Sequence, residues 1–262
     1  MPSALIGYTG FVGGNLLKQA TFDGRYNSKN VESIAGQTYD LVVCAGAPAE
    51  KWKANRNPEA DGKAIGRLTA ALEQVNAAQV VLISTVDAYP EPFEVDEGTE
   101  FDAERATPFG RHRFGLEVFL AARFNTLVVR LPSSYGTGLK KNVIYDLLHD
   151  NNLEALHADS VYQFYGLDRL WKDVQAALNE RLRLVNFVTE PVSVRELAKE
   201  AFGKDFDHRP QETSPARYDV RSRFAEQLGG KDGYLETKQQ VLANIAAFAR
   251  AQQKKRGGAQ PG

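Results

Sequence analysis

"SALIGYTGFVGGNLLKQA", residues 3–20, decides the fold. A short apolar strand runs into Gly7, Gly10 and Gly13 and then out into a helical pattern. This is G-x-x-G-x-x-G set between a strand and a helix, the form of a dinucleotide-binding turn. Glycine permits the tight turn, lets backbone approach a diphosphate, and allows the helix to pack closely on the strand. The helix start offers N–H groups and a partial positive charge to the same anion. The other reading of three glycines is a tight structural turn with no ligand.

Working outward, the same alternation repeats. "YDLVVCAGA" (39–47) and "AQVVLISTVDAY" (78–89) are nearly continuous apolar strands with polar or small C-terminal ends. Strands of that kind are covered on both faces, as in a parallel sheet. Residues 58–76 read as a helix with Ile65, Leu68 and Leu72 on one face. Residues 110–123 read as another, and "NTLVVRLPSSYGTG" (125–138) as a further strand and loop. Repeated βαβ units imply an α/β doubly wound parallel sheet, the Rossmann form. A small C-terminal α/β substrate lobe is expected to follow. The divisions are 1–135 for the dinucleotide-binding core, 136–250 for the lobe interleaved with it, and 251–262 for a flexible tail. Within the lobe, helices are expected near 141–150, 168–179, 193–202 and 235–250. Short strands are expected near 153–157, 162–165 and 184–188. Ligands of such sheets lie beyond the C-terminal strand ends, here "GYTG", "CAGAP", "STVDAY" and "RLPSSYG".

Composition narrows the function. The chain has 262 residues, 32 basic and 33 acidic, with a formal net charge of -1. No global field attracts nucleic acid, so no nucleic-acid partner is expected. No apolar run reaches the length of a membrane span, and the N-terminus lacks the basic start of a signal peptide, so no membrane partner is expected either. The single cysteine, Cys44, excludes an internal disulfide and fits a cytoplasmic location. Its place in an apolar strand favours burial over a nucleophilic role. His112, His149, His157 and His208 are scattered, so no metal site is expected.

The end of the second strand discriminates between cofactors. An Asp or Glu there binds a free ribose 2′-OH. In "FDGRYNSKN" Asp23 comes too early, and the strand end carries Asn27, Ser28 and Lys29. A lysine and a small hydroxyl suit a 2′-phosphate, which favours NADP over NAD.

Several motifs now line up in order. "GYTGFVGGNL" resembles a nucleotide loop. "VVLISTVDAY" places Thr85 four residues before an aromatic. "PFGRHRFGLE" has the outline Pro-Tyr-Gly-x-x-Lys-x-x-x-Glu, and "VVRLPSSYGTG" the outline Arg-x-x-x-x-Tyr-Gly-x-Gly. "YQFYGLDRLWKDVQAAL", "VNFVTEPVSVRELAKEAFG" and "ARYDVRSRFAEQLGG" continue the match. Over nearly its whole length the chain resembles an extended short-chain dehydrogenase/reductase of the NAD-dependent epimerase/dehydratase kind, which modifies nucleotide sugars.

The resemblance implies cofactor contacts from Gly7, Gly10, Phe11, Val12 and Gly13, from Asn27, Ser28 and Lys29, from Ala45, Gly46 and Ala47, and from Arg113 and Pro132. It also implies a Thr that orients the reacting oxygen and a Tyr that acts as acid/base. A Lys one helical turn on lowers the proton affinity of that Tyr. Carried over, the threonine position is Thr85, but the tyrosine position is Phe109 and the lysine position Arg113. Phe109 has no proton to exchange, and arginine does not replace lysine simply. Moving the tyrosine position to Tyr89 puts Phe93 at the lysine position, which fails. Candidate replacements for the acid/base are Asp87, Tyr89, His112 and Tyr135. His112 is expected to point about 100° away from Arg113 on its helix.

Substrate contacts are expected from Tyr89, Tyr135, Asn142, Gln163, Arg209 and Arg217, with Arg221 a further candidate phosphate clamp. Trp52 and Trp171 are candidates for stacking on a base, with packing the alternative. Three functions compete. The first is an atypical oxidoreductase or epimerase on a nucleotide sugar or related hydroxy or keto substrate, with a non-standard proton relay. The second is a non-catalytic NADP-binding regulator or scaffold. The third is a folded relic. Apolar positions Phe114, Leu116, Val118, Phe119 and Leu120 suggest a homodimer seam along helix 110–123.

Overall fold

Apolar residues that alternate along each strand build the sheet and assign its two faces. The computed structural model describes residues 2–257. Its strands are β1 Ser3–Ile6, β2 Gly24–Tyr26, β3 Thr38–Cys44, β4 Asn76–Thr85, β5 Phe93–Val95, β6 Thr126–Leu131, β7 Ser133–Tyr135, β8 Val161–Tyr162, β9 Phe164–Gly166, β10 Leu184–Asn186, β11 Val192–Ser193 and β12 Asp219–Val220. Its helices are α1 Phe11–Leu16, α2 Lys51–Arg56, α3 Pro58–Glu73, α4 Pro108–Arg123, α5 Val143–His149, α6 Leu170–Asn179, α7 Val194–Phe202 and α8 Lys238–Gly257.

Six strands form one sheet in the order β10-β6-β4-β3-β1-β2, and every pair in it is parallel. Side chains alternate across the pleat. Ile6, Val42, Cys44, Val80 and Leu82 pack on one face with Leu68 and Leu72 of α3 and Leu116 and Leu120 of α4. Leu5, Val43, Val81, Ile83 and Val129 pack on the other with Leu16 of α1 and Leu170 and Val174 of α6. The strand order reverses between β1 and β3, and the crevice beyond their C-terminal ends is where a doubly wound sheet takes its ligand.

The C-terminal half shares this sheet through β10 and α6, and builds a second core from α5, α7 and α8 around Phe164 and Tyr135. Two short pairs stitch the halves together, β7 with β9 and β5 with β12, while β8 pairs with β11 inside the C-terminal half.

Several local expectations need correction. Residues 153–157 do not form a strand. Asn152 takes the left-handed conformation, φ 51°, and Leu153–Ala155 follow as a 3-10 turn with no strand beside them to pair with. The strand expected at 162–165 is divided into β8 and β9 by Gln163, whose amide is turned into the core. Helix α2 was not anticipated. Asn57 ends it and caps α3, its side chain accepting a hydrogen bond from Ala60 N at 3.1 Å. The tail expected to fray from 251 is helical through Gly257, because Ala, Gln, Lys and Arg all favour helix. Its last residues, 258–262, lie outside the described residues.

Candidate functional site

The glycine turn is a cradle that only glycine fits. Gly7 has φ +86°, and a Cβ there would lie 2.3 Å from the Ala45 carbonyl oxygen. A Cβ on Gly13 would lie 2.2 Å from the Gly7 carbonyl oxygen, so α1 rests directly on the turn. Gly46 meets the Ile6 side chain in the same way, at 2.8 Å. The turn after β1 and the Ala45–Gly46–Ala47 segment after β3 therefore touch backbone to backbone at the switch point. Asn15 of α1 then ties the far side down. Its amide donates to Thr137 O at 2.9 Å and accepts from Thr137 N at 3.2 Å, which holds the loop after β7 against the same helix.

Gly7 N donates to Tyr26 O at 2.7 Å, which sets the end of β2 beside the glycine turn. Asn27 leads the loop out of β2 and holds it with an Asx turn, Lys29 N donating to Asn27 Oδ1 at 2.8 Å. Ser28 and Lys29 are exposed there. Asp23 lies at the opposite end of β2, where its carboxylate accepts from Ser3 N at 2.8 Å. No carboxylate stands at the C-terminal end of β2.

Thr85 ends β4 half-exposed, and its Oγ1 accepts from Asp87 N at 3.1 Å. Asp87 is the centre of a three-membered ring of polar groups. Lys51 Nζ of α2 donates to Asp87 Oδ1 at 2.7 Å, the Tyr218 hydroxyl donates to the same oxygen at 2.8 Å, and Lys51 Nζ reaches the Tyr218 oxygen at 3.1 Å. Burial opposes the Lys51 charge, but the Asp87 carboxylate and the Tyr218 hydroxyl outweigh it and raise the ammonium's pKa. Burial first, then the Asp87 charge, pushes the Tyr218 phenol up to about 12, while Lys51 pulls it down. Lys51 and Tyr218 were not singled out from the sequence, where neither falls in a motif.

The Phe109 and Arg113 positions are closed. Phe109 is buried, and the Arg113 guanidinium stacks on its ring 4.0 Å from the centroid. Arg113 is 3% exposed and grips Asp61 of α3 with two nitrogens, one at 2.8 Å to Oδ1, and also donates to Pro48 O. Its Nε is buried without a partner, so the side chain has no exposed donor to offer a ribose. Residues one apart on a helix diverge, yet His112 Nδ1 also lies 2.7 Å from Asp61, which sits between the two. Burial works against the Asp61 charge, but Arg113 and His112 overcome it and hold the carboxyl below its ordinary value.

Other expected site residues have structural work. Tyr89 is core, its hydroxyl donating to Asp96 O at 2.8 Å and its ring lying under Arg130. Arg130 is held by Glu117 at 2.5 Å. Gln163 is 1% exposed, with its amide spent on Thr189 O and on Val220 N and O. Tyr135 is buried against Phe248, and burial raises its phenol pKa. Asn142, at φ 117°, caps α5 and donates to Ser134 O at 3.0 Å. Arg209 pairs with Asp159 and Asp207, Arg221 reaches Asp219, and Arg217 lies over the Phe93 ring. Pro132 is buried after β6, and Phe11 and Val12 are half-buried over the sheet. Trp171 packs on Phe22, whereas Trp52 is exposed. Burial pushes the Cys44 thiol up to about 11, which leaves it an inert core residue. A Tyr-x-x-x-Lys spacing does occur, at Tyr234 and Lys238, but these part company: Tyr234 donates to Asp219 and Lys238 to Glu196. Among the described residues no group of three metal-ligating side chains gathers, and no helix is long and apolar enough to cross a membrane.

No protein-family model and no curated protein matches the chain. Solved structures do. RMD from Pseudomonas aeruginosa, complexed with NADPH, is 17% identical, with a TM-score of 0.74 over 96% of this chain and 100% of that one. A dTDP-4-dehydrorhamnose reductase from Clostridium acetobutylicum is 20% identical, with a TM-score of 0.69 over 95% and 99%. The DesIV dTDP-glucose 4,6-dehydratase from Streptomyces venezuelae, with NAD bound, is 13% identical, with a TM-score of 0.71 over 95% and 97%. The chain shares the fold of these three structures over 95–96% of its own length and 97–100% of theirs.

Proposed function

We propose that the chain is a nicotinamide-dinucleotide-binding oxidoreductase or epimerase-like protein that acts on a nucleotide sugar or a related hydroxy or keto compound. The observation that carries this is the glycine cradle. At Gly7 and Gly13 a single added carbon would strike backbone at 2.3 and 2.2 Å, so the turn keeps the tight form that this fold uses for its cofactor at the switch point. Gly7, Gly10, Phe11, Val12 and Gly13 would hold the diphosphate, with Ala45, Gly46, Ala47 and Pro132 along the crevice. Asn27, Ser28 and Lys29 would take the adenosine ribose. With no carboxylate at that strand end and an exposed lysine there, NADP is favoured over NAD. Bound there, the dinucleotide supplies hydride exchange. The chain supplies position and protons. Thr85 accepts from Asp87 N, which leaves its own proton to donate to a substrate oxygen.

A second reading, a non-catalytic dinucleotide-binding regulator or scaffold, is favoured by one observation. The two positions that carry proton chemistry in the family the sequence resembles are Phe109 and a sealed Arg113. A cytoplasmic homodimer belongs to either reading, although of the large apolar residues on α4 only Val118 is strongly exposed.

Titration calorimetry with NADPH and NADH in parallel tests the cofactor. NADPH is expected to bind more tightly, and Lys29→Ala to narrow the difference. Binding of neither overturns the proposal. Turnover of dTDP-4-dehydrorhamnose, dTDP-glucose or UDP-glucose with the preferred dinucleotide then separates the enzyme from the scaffold.

A further inference from the structure

The polar ring around Asp87 lies against the first turn of α4, where a Cβ on Gly110 would meet the Asp87 carbonyl oxygen at 2.0 Å. We propose that Tyr218 is the proton donor of this protein, reloaded by Lys51 and oriented by Asp87. The proposal rests on the oxidoreductase reading above.

Three observations on different elements carry it. Lys51 comes from α2, Asp87 from the turn after β4 and Tyr218 from the segment before β12, and their polar atoms lie within 2.7–3.1 Å of one another. The ring stands two residues beyond Thr85, whose hydroxyl accepts from Asp87 N, so the Thr85 and Tyr218 hydroxyls both contact Asp87. Solvent also reaches it, because the Lys51 side chain is 42% exposed and that of Asp87 19%. A phenol with an ammonium in hydrogen-bond contact is one pairing that serves proton exchange at a carbonyl. Here two distant segments assemble it, in place of one helical turn. Tyr162 is the other ionisable group against the Tyr218 ring, with centroids 5.6 Å apart.

The chemistry balances with a reduced nicotinamide dinucleotide as the hydride source. As the carbonyl carbon of the substrate gains hydride, its oxygen gains charge and takes the proton from Tyr218, so that the phenol O–H breaks and the alcohol O–H forms. Lys51 passes a proton to the phenolate, which restores the phenol and leaves a neutral amine. The exposed amine recovers its proton from solvent beside the Asp87 carboxylate. Net, one hydride and one solvent proton are added.

The test uses the full chain as wild type, Tyr218→Phe, Lys51→Met and Asp87→Asn. The first readout needs neither cofactor nor substrate. The ultraviolet difference between each protein and the same protein carrying Tyr218→Phe isolates one phenol. Its titration is expected to move down in Asp87→Asn and up in Lys51→Met; an unchanged midpoint in both overturns the proposal. The second is steady-state kinetics with NADPH and the nucleotide sugars named above. Tyr218→Phe is expected to lower kcat by about 100-fold or more, with KM and NADPH affinity held within about threefold. If Tyr218→Phe keeps wild-type kcat while wild type binds NADPH and turns over, the proton-donor assignment falls alone. If wild type binds no dinucleotide, or binds it and turns nothing over, the oxidoreductase reading falls and takes the assignment with it. Should Tyr218→Phe not fold, Lys51→Met carries the kinetic test, and unchanged kcat there overturns the relay.

Discussion

At the residue scale, Phe109 and Arg113 act as one unit. The guanidinium stacks on the Phe109 ring and spends its charge on Asp61, so neither residue serves the crevice. Restoring the phenol alone should therefore fail. A competent general acid raises a rate by about 10²–10⁴-fold, and Phe109→Tyr is expected to give no gain of that kind in kcat. Asp61 matters for stability instead. Removing one partner of a buried pair costs about 3–5 kcal/mol, and Asp61→Asn is expected to lower denaturant stability by that order. The pH dependence has a definite sign. The Asp61 carboxyl is depressed from its ordinary 3.8 in the folded state. Its contribution is therefore present above that value and lost as pH falls through the lower folded one. Wild-type stability should drop at the acid end below pH 3.8, and Asp61→Asn should flatten that drop.

At the element scale, α4 is placed by contact with the turn that holds Asp87. Thr107 caps it, its Oγ1 accepting from Gly110 N at 3.4 Å, and Asn55 of α2 accepts from Phe109 N at 3.0 Å. Gly110 is a contact point. A Cβ there would lie 2.0 Å from the Asp87 carbonyl oxygen, which is backbone and cannot swing aside. Gly110→Ala is expected to push α4 off this turn at a cost of about 1–3 kcal/mol, measured by urea denaturation. The helix pattern from 110 was plain in the sequence, because a 3.6-residue period is local. That its first turn abuts Asp87 was not, because a glycine leaves no apolar signal at a close approach.

At the scale of the molecule, the C-terminal half is tied together by buried polar groups as well as by apolar packing. Gln163, between β8 and β9, holds Thr189 beyond β10 and both backbone groups of Val220 in β12. An unsatisfied buried group costs about 1–3 kcal/mol, and Gln163→Ala leaves several. The variant is expected to lose several kcal/mol in a single cooperative transition, since the C-terminal half supplies β10 and α6 to the shared sheet. Separate fluorescence and far-ultraviolet transitions would show instead that the halves unfold apart. Among the residues expected on substrate, Gln163 is such a tie, Tyr89 bonds Asp96 and Asn186, and Asn142 caps α5. Sequence ranks a polar side chain in an apolar stretch as exposed to a ligand, whereas burial with every bond satisfied serves it equally well.

The sequence by itself determined the parallel doubly wound sheet, the glycine turn and the place of the crevice. Each is written in short-range spacing: apolar runs in β3 and β4, and three glycines between a strand and a helix. It also showed that the usual tyrosine and lysine are absent. Only the tertiary structure decided what Arg113 does, since Asp61 is 52 residues away, and only it joined Lys51 to Tyr218, 167 residues apart, through Asp87. Charge pairs and hydrogen-bonded rings act over a few ångströms in space and leave no period along the chain. The sequence therefore points to the candidate crevice, and the fold alone decides which of the charged groups near it remain open to solvent.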